Sequence, residues 1–181
     1  RDLFDSARPL IALRQKEGLS VALVDIDDVY DEFTFGQKSP RAVKDFLALA
    51  KSVWNRPVRY VMLLGDASYD PKNYLGLGDF DLVPTFLVDT TFMETASDDS
   101  LTDFNADGIA DLPIGRLPVR NAAEASLMID KILNYEQSLP AEEALLVSDL
   151  NDGIDFEGSS ELIAPLIPGK TRITHIKRGQ L

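Results

Sequence analysis

The residues best suited to chemistry are the acids of the loop over 103–111, spaced D-x-N-x-D-G-x-x-D. Side-chain oxygens at loop positions one, three and five, here Asp103, Asn105 and Asp107, can fold around a single hard cation, and an all-oxygen donor set suits Ca²⁺. Gly108 at position six supplies the sharp turn that a side chain would hinder. Ile109 at position seven would offer its backbone carbonyl and point its side chain inward. Asp111 at position nine would ligate directly or through water. Position twelve is Ile114, where a full EF-hand carries a bidentate Glu. The loop is therefore expected to act like the shorter acidic loops that lack flanking EF helices. The competing reading is a polar Asp/Asn/Gly turn with no metal.

A second group of acids, Asp25, Asp27, Asp28, Asp66, Asp70 and Asp149, falls where apolar runs end. What positions them is an alternation of helices and strands. Residues 5–17 read as a helix, with Leu3, Phe4, Ala7, Leu10 and Ile11 at helical spacing and Gly18 at its C-terminal cap. Residues 19–25 and 58–64 read as strands buried on both faces. Between them Ser39 caps, and Pro40 opens, a helix whose apolar face is Val43, Phe46, Leu47, Ala50, Val53 and Trp54, stopped by 55–57. The loop over 67–81 is long and rich in Asp, Gly and Pro, as functional or disordered loops are. Residues 82–88 read as a strand that Pro84 places at an edge or a bulge, and residues 113–116 as a short strand.

Asn121 and Glu124 form a capping box for the next helix, with Ala125, Met128, Ile129, Ile132 and Tyr135 as its apolar stripe and Pro140 closing it. The pattern then restarts with a strand over 144–148, an acidic loop over 149–155, a helix over 157–167 and a strand over 171–177. Near-continuous apolar strands alternating with helices predict an α/β fold with three layers and a mostly parallel sheet flanked by helices. In such sheets functional residues gather at the carboxyl ends of the strands. Each of these acids taken singly is equally well a helix cap or a loop carboxylate.

Composition narrows the partners. The 181 residues are 45% hydrophobic and 27% charged, as in an ordinary globule. A net charge of −12 argues against nucleic acid and anionic lipid, and favours cations or basic peptides. There is no cysteine, so this chain offers neither disulfides nor a thiol nucleophile. No apolar run approaches the roughly 20 residues of a membrane span. The chain opens on Arg1-Asp2-Leu3, from which we expect a piece of a longer protein.

Several segments, taken in order, resemble the gingipain-type cysteine peptidases of family C25. They are VDIDDVYDEF (24–33), the helix opened by Ser39-Pro40, YVMLLGDASYDPKNY (60–74), ASDD (96–99), DLPIGRLPVRNAAEA (111–125) and KILNYE (131–136). The most specific are LLGDASYD and the IGRLPVR–helix–KILNYE block. The resemblance implies a caspase-like domain of two subdomains. Residues 1–139 would make the first, less a preceding strand, and 140–181 the start of the second, catalytic one. It also implies a protein or peptide substrate, the remaining second subdomain as partner, and an extracellular or cell-surface location.

The family's catalytic His, in a Gly-His-Gly context, and its Cys would both lie beyond this chain. His175, the lone histidine, sits in TRITHIKR without Gly flanks, and a structural place on a sheet edge is expected for it. The stretch over 148–167 is similar to the family segment that carries an acid at the base of the pocket for a basic P1 side chain. Asp155 is its nearest match and Asp152 the next, although Asp155 is equally placed to cap the helix that follows. Two other readings stand beside the peptidase one. One is a non-catalytic calcium-binding module at a surface or in secretion. The other is a receiver-like Mg²⁺ site built from Asp27, Asp28 and Asp66. Against that last reading, one helix alone separates the two strands, and no lysine follows a later strand in the required context.

Overall fold

A computed structural model describes residues 2–138 and 142–180. The elements, apart from short 3₁₀ turns, are α1 (Phe4–Lys16), α2 (Ile26–Thr34), α3 (Pro40–Val53), β1 (Val61–Leu64), β2 (Phe86–Asp89) and β3 (Glu94–Ser97). They continue with β4 (Ile114–Leu117), α4 (Ala122–Gln137), β5 (Glu143–Ser148), α5 (Phe156–Ile163) and β6 (Arg172–Lys177). The chain divides into two compact units, Arg1–Leu133 and Asn134–Leu181. The expected boundary at Leu139 and Pro140, and the helix stop at Pro140, lie outside the described residues. No described helix is long and apolar enough to cross a membrane.

The fold is a mixed α/β one with small sheets. In the first unit β1 and β4 pair in parallel, Val61 opposite Ile114 through Leu64 opposite Leu117. Strands β2 and β3 form an antiparallel hairpin, Phe86 opposite Ser97 through Asp89 opposite Glu94. In the second unit β5 and β6 pair in parallel.

Helix ends follow the chain chemistry closely. Ser39 accepts from the Arg41 N–H at the start of α3, with Pro40 at the first helical position. Asn121 accepts from the Glu124 N–H at 3.0 Å, and the Glu124 carboxylate reaches back to the Arg120 N–H at 2.7 Å. That is a capping box shifted by one residue. The core of the first unit joins Val29 and Tyr30 of α2, Ala42, Val43 and Leu47 of α3, Leu63 of β1, Val83 and Leu101. Phe46 completes the α3 face by edge-on contacts with Phe33 and Trp54.

Two expected strands need correction. Residues 19–25 join no ladder among the described residues, and Leu19, Leu23 and Val24 stay exposed. An apolar run becomes a strand only when a neighbouring backbone takes its N–H and C=O groups. β1 is shorter than expected and is not buried on both faces. Leu63 is buried, but Met62 is 50% exposed, because a two-stranded sheet leaves one side uncovered.

Beyond β1 the backbone turns at Gly65, which has φ +143°. A Cβ there would come within 2.9 Å of the Leu82 Cβ, so the close approach of the returning chain requires glycine. Arg116 of β4 fixes this junction. Its guanidinium forks onto Asp98 at 2.7 and 2.8 Å and donates to the carbonyls of Gly65 at 2.8 Å and Val83 at 2.6 Å. One side chain thus joins the end of β1, the approach to β2 and the turn after β3.

Burial alone would raise the Asp98 pKa, but the hydrogen bonds and charge of Arg116 outweigh it and hold the carboxyl below its ordinary 3.8. Arg116→Met should therefore cost about 2–3 kcal/mol near neutrality, since it leaves a largely buried carboxylate without its cation and two carbonyls without this donor. The folded pKa lies below the unfolded one, so the stabilisation is complete above about pH 5 and fades as acid protonates Asp98. Urea melts of both proteins across pH should show the gap narrowing below about pH 4, where Asp98 is protonated, to the part owed to the two carbonyls. A gap independent of pH would contradict the pairing.

Candidate functional site

Three groups of polar residues could carry function, and each can be built from its own local chemistry. The first is the acidic loop. Asp103 accepts from the Asp107 N–H through one oxygen (3.2 Å) and from the Gly108 N–H through the other (3.0 Å). Asn105 Oδ1 accepts from the Asp107 N–H at 3.1 Å, and Asp107 from the Ile109 N–H at 2.9 Å. Gly108 has φ +86°, as position six of such a loop demands.

These bonds occupy one lone pair on each oxygen and leave others available. Asp103, Asn105 and Asp107 therefore share a single tight turn. Asp111 is held differently. It accepts from the Phe104 N–H at 3.0 Å, and Lys51 Nζ lies 3.4 Å from its other oxygen. The N–H of Phe104 first, and then Lys51, hold the Asp111 carboxyl below the usual carboxylate range. Among the described residues no three His, Cys, Asp or Glu side chains converge as a metal-holding group. One sequence expectation fails here. The Ile109 side chain is 71% exposed rather than inward, since a turn on the surface offers it no apolar neighbours.

The second group surrounds the carboxyl ends of β1 and β4. The Asp66 N–H donates to the Val119 carbonyl, and the Asp66 carbonyl accepts from the Leu82 and Val83 N–H groups, so both strands continue as paired backbone past their ends. Arg120 donates to the Asp66 carboxylate at 2.9 Å and lies over the Phe80 ring at 4.2 Å. Asp70 caps its own loop, accepting from the Tyr74 and Leu75 N–H groups. That explains how the long loop over 67–81 holds a shape without an apolar core.

Deeper, Asp81 is 2% exposed and accepts from the Ser68 N–H at 3.0 Å. Lys38 bonds the Asp81 carbonyl and stands 3.5 Å from its carboxylate. The buried Tyr30 hydroxyl has no hydrogen-bond partner among the described residues. Burial first, then the charges of Asp81 and Asp27, push its pKa well above the ordinary value, so the phenol is neutral.

The other strand-end acids have local duties. Asp25 is not the end of a strand but the N-cap of α2, accepting from the Asp27 N–H at 3.2 Å. Asp27 and Asp28 lie in the first turn of that helix, where negative charge suits the helix dipole. With Asp66 taken by Arg120, these three are not gathered as a receiver-like Mg²⁺ site would need.

In the second unit Asp155 is the N-cap of α5, accepting from the Gly158 N–H at 2.9 Å and from Asn151 at 3.0 Å. Asp152 is exposed in the preceding turn. Asp149 is held below the usual carboxylate range by the Leu150 N–H and by Arg178. His175 sits opposite Leu146 in the β5–β6 ladder and is exposed.

The motifs and the geometry converge. Gly65 and Asp66 belong to LLGDASYD, Asp98 to ASDD, and Arg116 and Arg120 to IGRLPVR, and all five meet at the strand ends. A sequence model described as Peptidase family C25 matches residues 1–177. The chain belongs to peptidase family C25. No curated protein and no solved structure matches it. As a C25 chain it is a member of a cysteine peptidase family, whose substrates are proteins.

Sequence reasoning named Asp66 as a strand-end acid but missed the partners Arg116, Arg120, Lys38 and Asp81. The signal available for the arginines was their place in the most specific motif.

The capping role of Asp155 is separable from its charge. Asp155→Ala should destabilise the second unit by about 1 kcal/mol, while Asp155→Asn, an equally good cap, should melt like the parent. Equal losses in the two variants, followed by thermal unfolding, would contradict this role.

Proposed function

We propose that this chain is the non-catalytic front portion of a C25 cysteine endopeptidase, its nucleophile and base supplied by residues outside these 181. The observation that carries this reading is the family match over residues 1–177 in a sequence without cysteine. Peptide hydrolysis of this class needs a thiolate to attack the scissile carbonyl, a histidine to move the proton, and backbone N–H groups for the oxyanion. His175, exposed in a ladder and without a thiol in the chain, is not that base.

The part left to this chain is scaffold. The Arg116 fork and the Asp66–Arg120 pair hold the strand ends, where sheets of this kind present their functional loops. Asp155 and Asp152 remain candidates for a basic substrate side chain through a charge-assisted pair. The same reading places the protein outside the cell or on its surface.

We assign a structural Ca²⁺ to the acidic loop, held by Asp103, Asn105 and Asp107, the Ile109 carbonyl, and Asp111 directly or through water. Supporting this are the turn at Gly108 and the N–H bonds that already orient the oxygens of Asp103, Asn105 and Asp107. A calcium-binding module without catalysis is the reading that survives if the peptidase one fails, because the loop does not depend on the missing thiol.

Two experiments test these proposals. Extending the reading frame beyond Leu181 should reveal a histidine flanked by glycines and then a cysteine. Replacing that cysteine by alanine should abolish cleavage of a peptide substrate. An intact protein without either residue overturns the enzyme reading.

Calcium at a hundredfold excess over its dissociation constant should stabilise the chain by about 2.7 kcal/mol. EDTA should reverse the gain, and Asp107→Ala should not show it. Identical melts in EDTA and in Ca²⁺ would overturn the metal assignment.

A further inference from the structure

Two Asp-Gly pairs stand in closely similar surroundings in the sequence. Asp107-Gly108 lies in N-A-D-G-I-A-D over 105–111, and Asp152-Gly153 in N-D-G-I-D over 151–155. An aspartate before a glycine carries its own reaction partner. The glycine nitrogen is one ring closure away from the side-chain carboxyl, and without a Cβ the glycine does not hinder the approach. Whether such a pair reacts depends on how firmly each half is held, and these two are held very differently.

Asp107-Gly108 is locked. The Gly108 N–H donates to Asp103 at 3.0 Å, and the Asp107 carboxylate accepts from the Ile109 N–H at 2.9 Å and from the Asn105 amide at 3.0 Å. Nucleophile and electrophile are both tied to other groups. Around Asp152-Gly153 the bonds stop on either side of the pair. Asn151 donates to the Asp155 carboxylate at 3.0 Å and accepts from the Glu157 N–H at 3.3 Å, while Asp155 caps α5. Between these anchors residues 152–154 are exposed. Neither the Asp152 carboxylate nor the Gly153 N–H has a hydrogen-bond partner among the described residues. Gly153 has φ +116°, and nothing lies within 4 Å of where its Cβ would stand.

We propose that Asp152 is a site of spontaneous isoaspartate formation, from which the fold protects Asp107. The Gly153 nitrogen attacks Cγ of the Asp152 carboxyl in its acid form. The new N–Cγ bond closes a five-membered succinimide, and the amide proton leaves with the carboxyl hydroxyl as water. A second water then opens the ring. Addition at Cγ restores aspartate, whereas addition at the former main-chain carbonyl routes the backbone through the side chain and frees an α-carboxylate. One water leaves and one returns, so no oxidant or cofactor is consumed, and the charge is unchanged. What changes is length, one extra backbone carbon between Asn151 and the Asp155 cap. The freed α-carboxylate is the group that an S-adenosylmethionine-dependent isoaspartyl methyltransferase esterifies, which names the class of enzyme able to act on the aged chain. This ageing requires neither a catalytic thiol nor a bound metal.

The test keeps the whole chain for weeks in neutral buffer with EDTA, so that no metal contributes. Isoaspartate is counted by methyl transfer from labelled S-adenosylmethionine with an isoaspartyl methyltransferase, and located by electron-transfer fragmentation of tryptic peptides. Trypsin separates the two pairs, into 73–116 and 132–170. Isoaspartate should appear at 152 and lag at 107 by roughly tenfold or more, since the locked pair must first open several hydrogen bonds.

In guanidinium chloride, where both pairs are released, the two sites should age at comparable rates. Asp152→Glu, which would need a larger ring, should remove the signal at 152. Asp103→Ala, which takes away the acceptor of the Gly108 N–H, should bring isoaspartate to 107. Comparable rates at the two sites in the folded chain, a faster 107, or no isoaspartate at either would overturn the proposal. So would a difference that persists in guanidinium chloride, because sequence and not structure would then set it.

Discussion

A charged guanidinium inside a protein must find acceptors for its donors, and Arg116 finds them on three separate segments. The Asp98 carboxylate takes two N–H groups in a fork, and the carbonyls of Gly65 and Val83 take another nitrogen. The geometry is demanding because the guanidinium is planar and its donors are fixed in direction. Lysine could offer the charge but not the simultaneous fork and carbonyl contacts. The chain beyond β1, the approach to the hairpin and the turn beyond it are therefore positioned by one requirement. The close passage at Gly65, the backbone pairing at Asp66 and the stacking of Arg120 on Phe80 are all built around that junction.

Much of the helical architecture was legible in the sequence because helix ends are decided locally. Ser39-Pro40, Asn121 with Glu124, and Asp155 each satisfy N–H groups within a few residues, so their chemistry can be read without knowing the fold. Strands are not decided locally. Residues 19–25 have the apolar content of a strand but pair with no strand among the described residues, whereas Glu94–Ser97 has little apolar content and pairs with β2. The helix Ile26–Thr34 went unread because its acids look like the end of a strand as readily as a first helical turn.

The candidate sites divide in the same way. The acidic loop was visible as a pattern, and its turn and internal bonds form as the spacing requires. Its Ile109 points outward, because inwardness depends on what lies beneath the loop, which spacing does not encode. The cluster at the strand ends was legible only as acids. Their cationic partners come from residues distant in sequence, Arg120 for Asp66 and Lys38 for Asp81. In a chain with a net charge of −12, where such partners are scarce, many carboxylates are met by backbone N–H groups instead.

The parallel pairing of β1 with β4 bears on how the first unit acquires its shape in time. Parallel strands cannot be joined by a tight turn, and here the hairpin, the acidic loop and the long loop over 67–81 all intervene. Bringing Val61 against Ile114 closes a large loop, an entropic cost that the neighbouring helices α2 and α3 do not carry. Contacts of that range slow folding relative to local ones. During synthesis the edge of β1 must therefore wait for IGRLPVR to emerge, with its backbone groups unpaired until the Arg116 segment arrives.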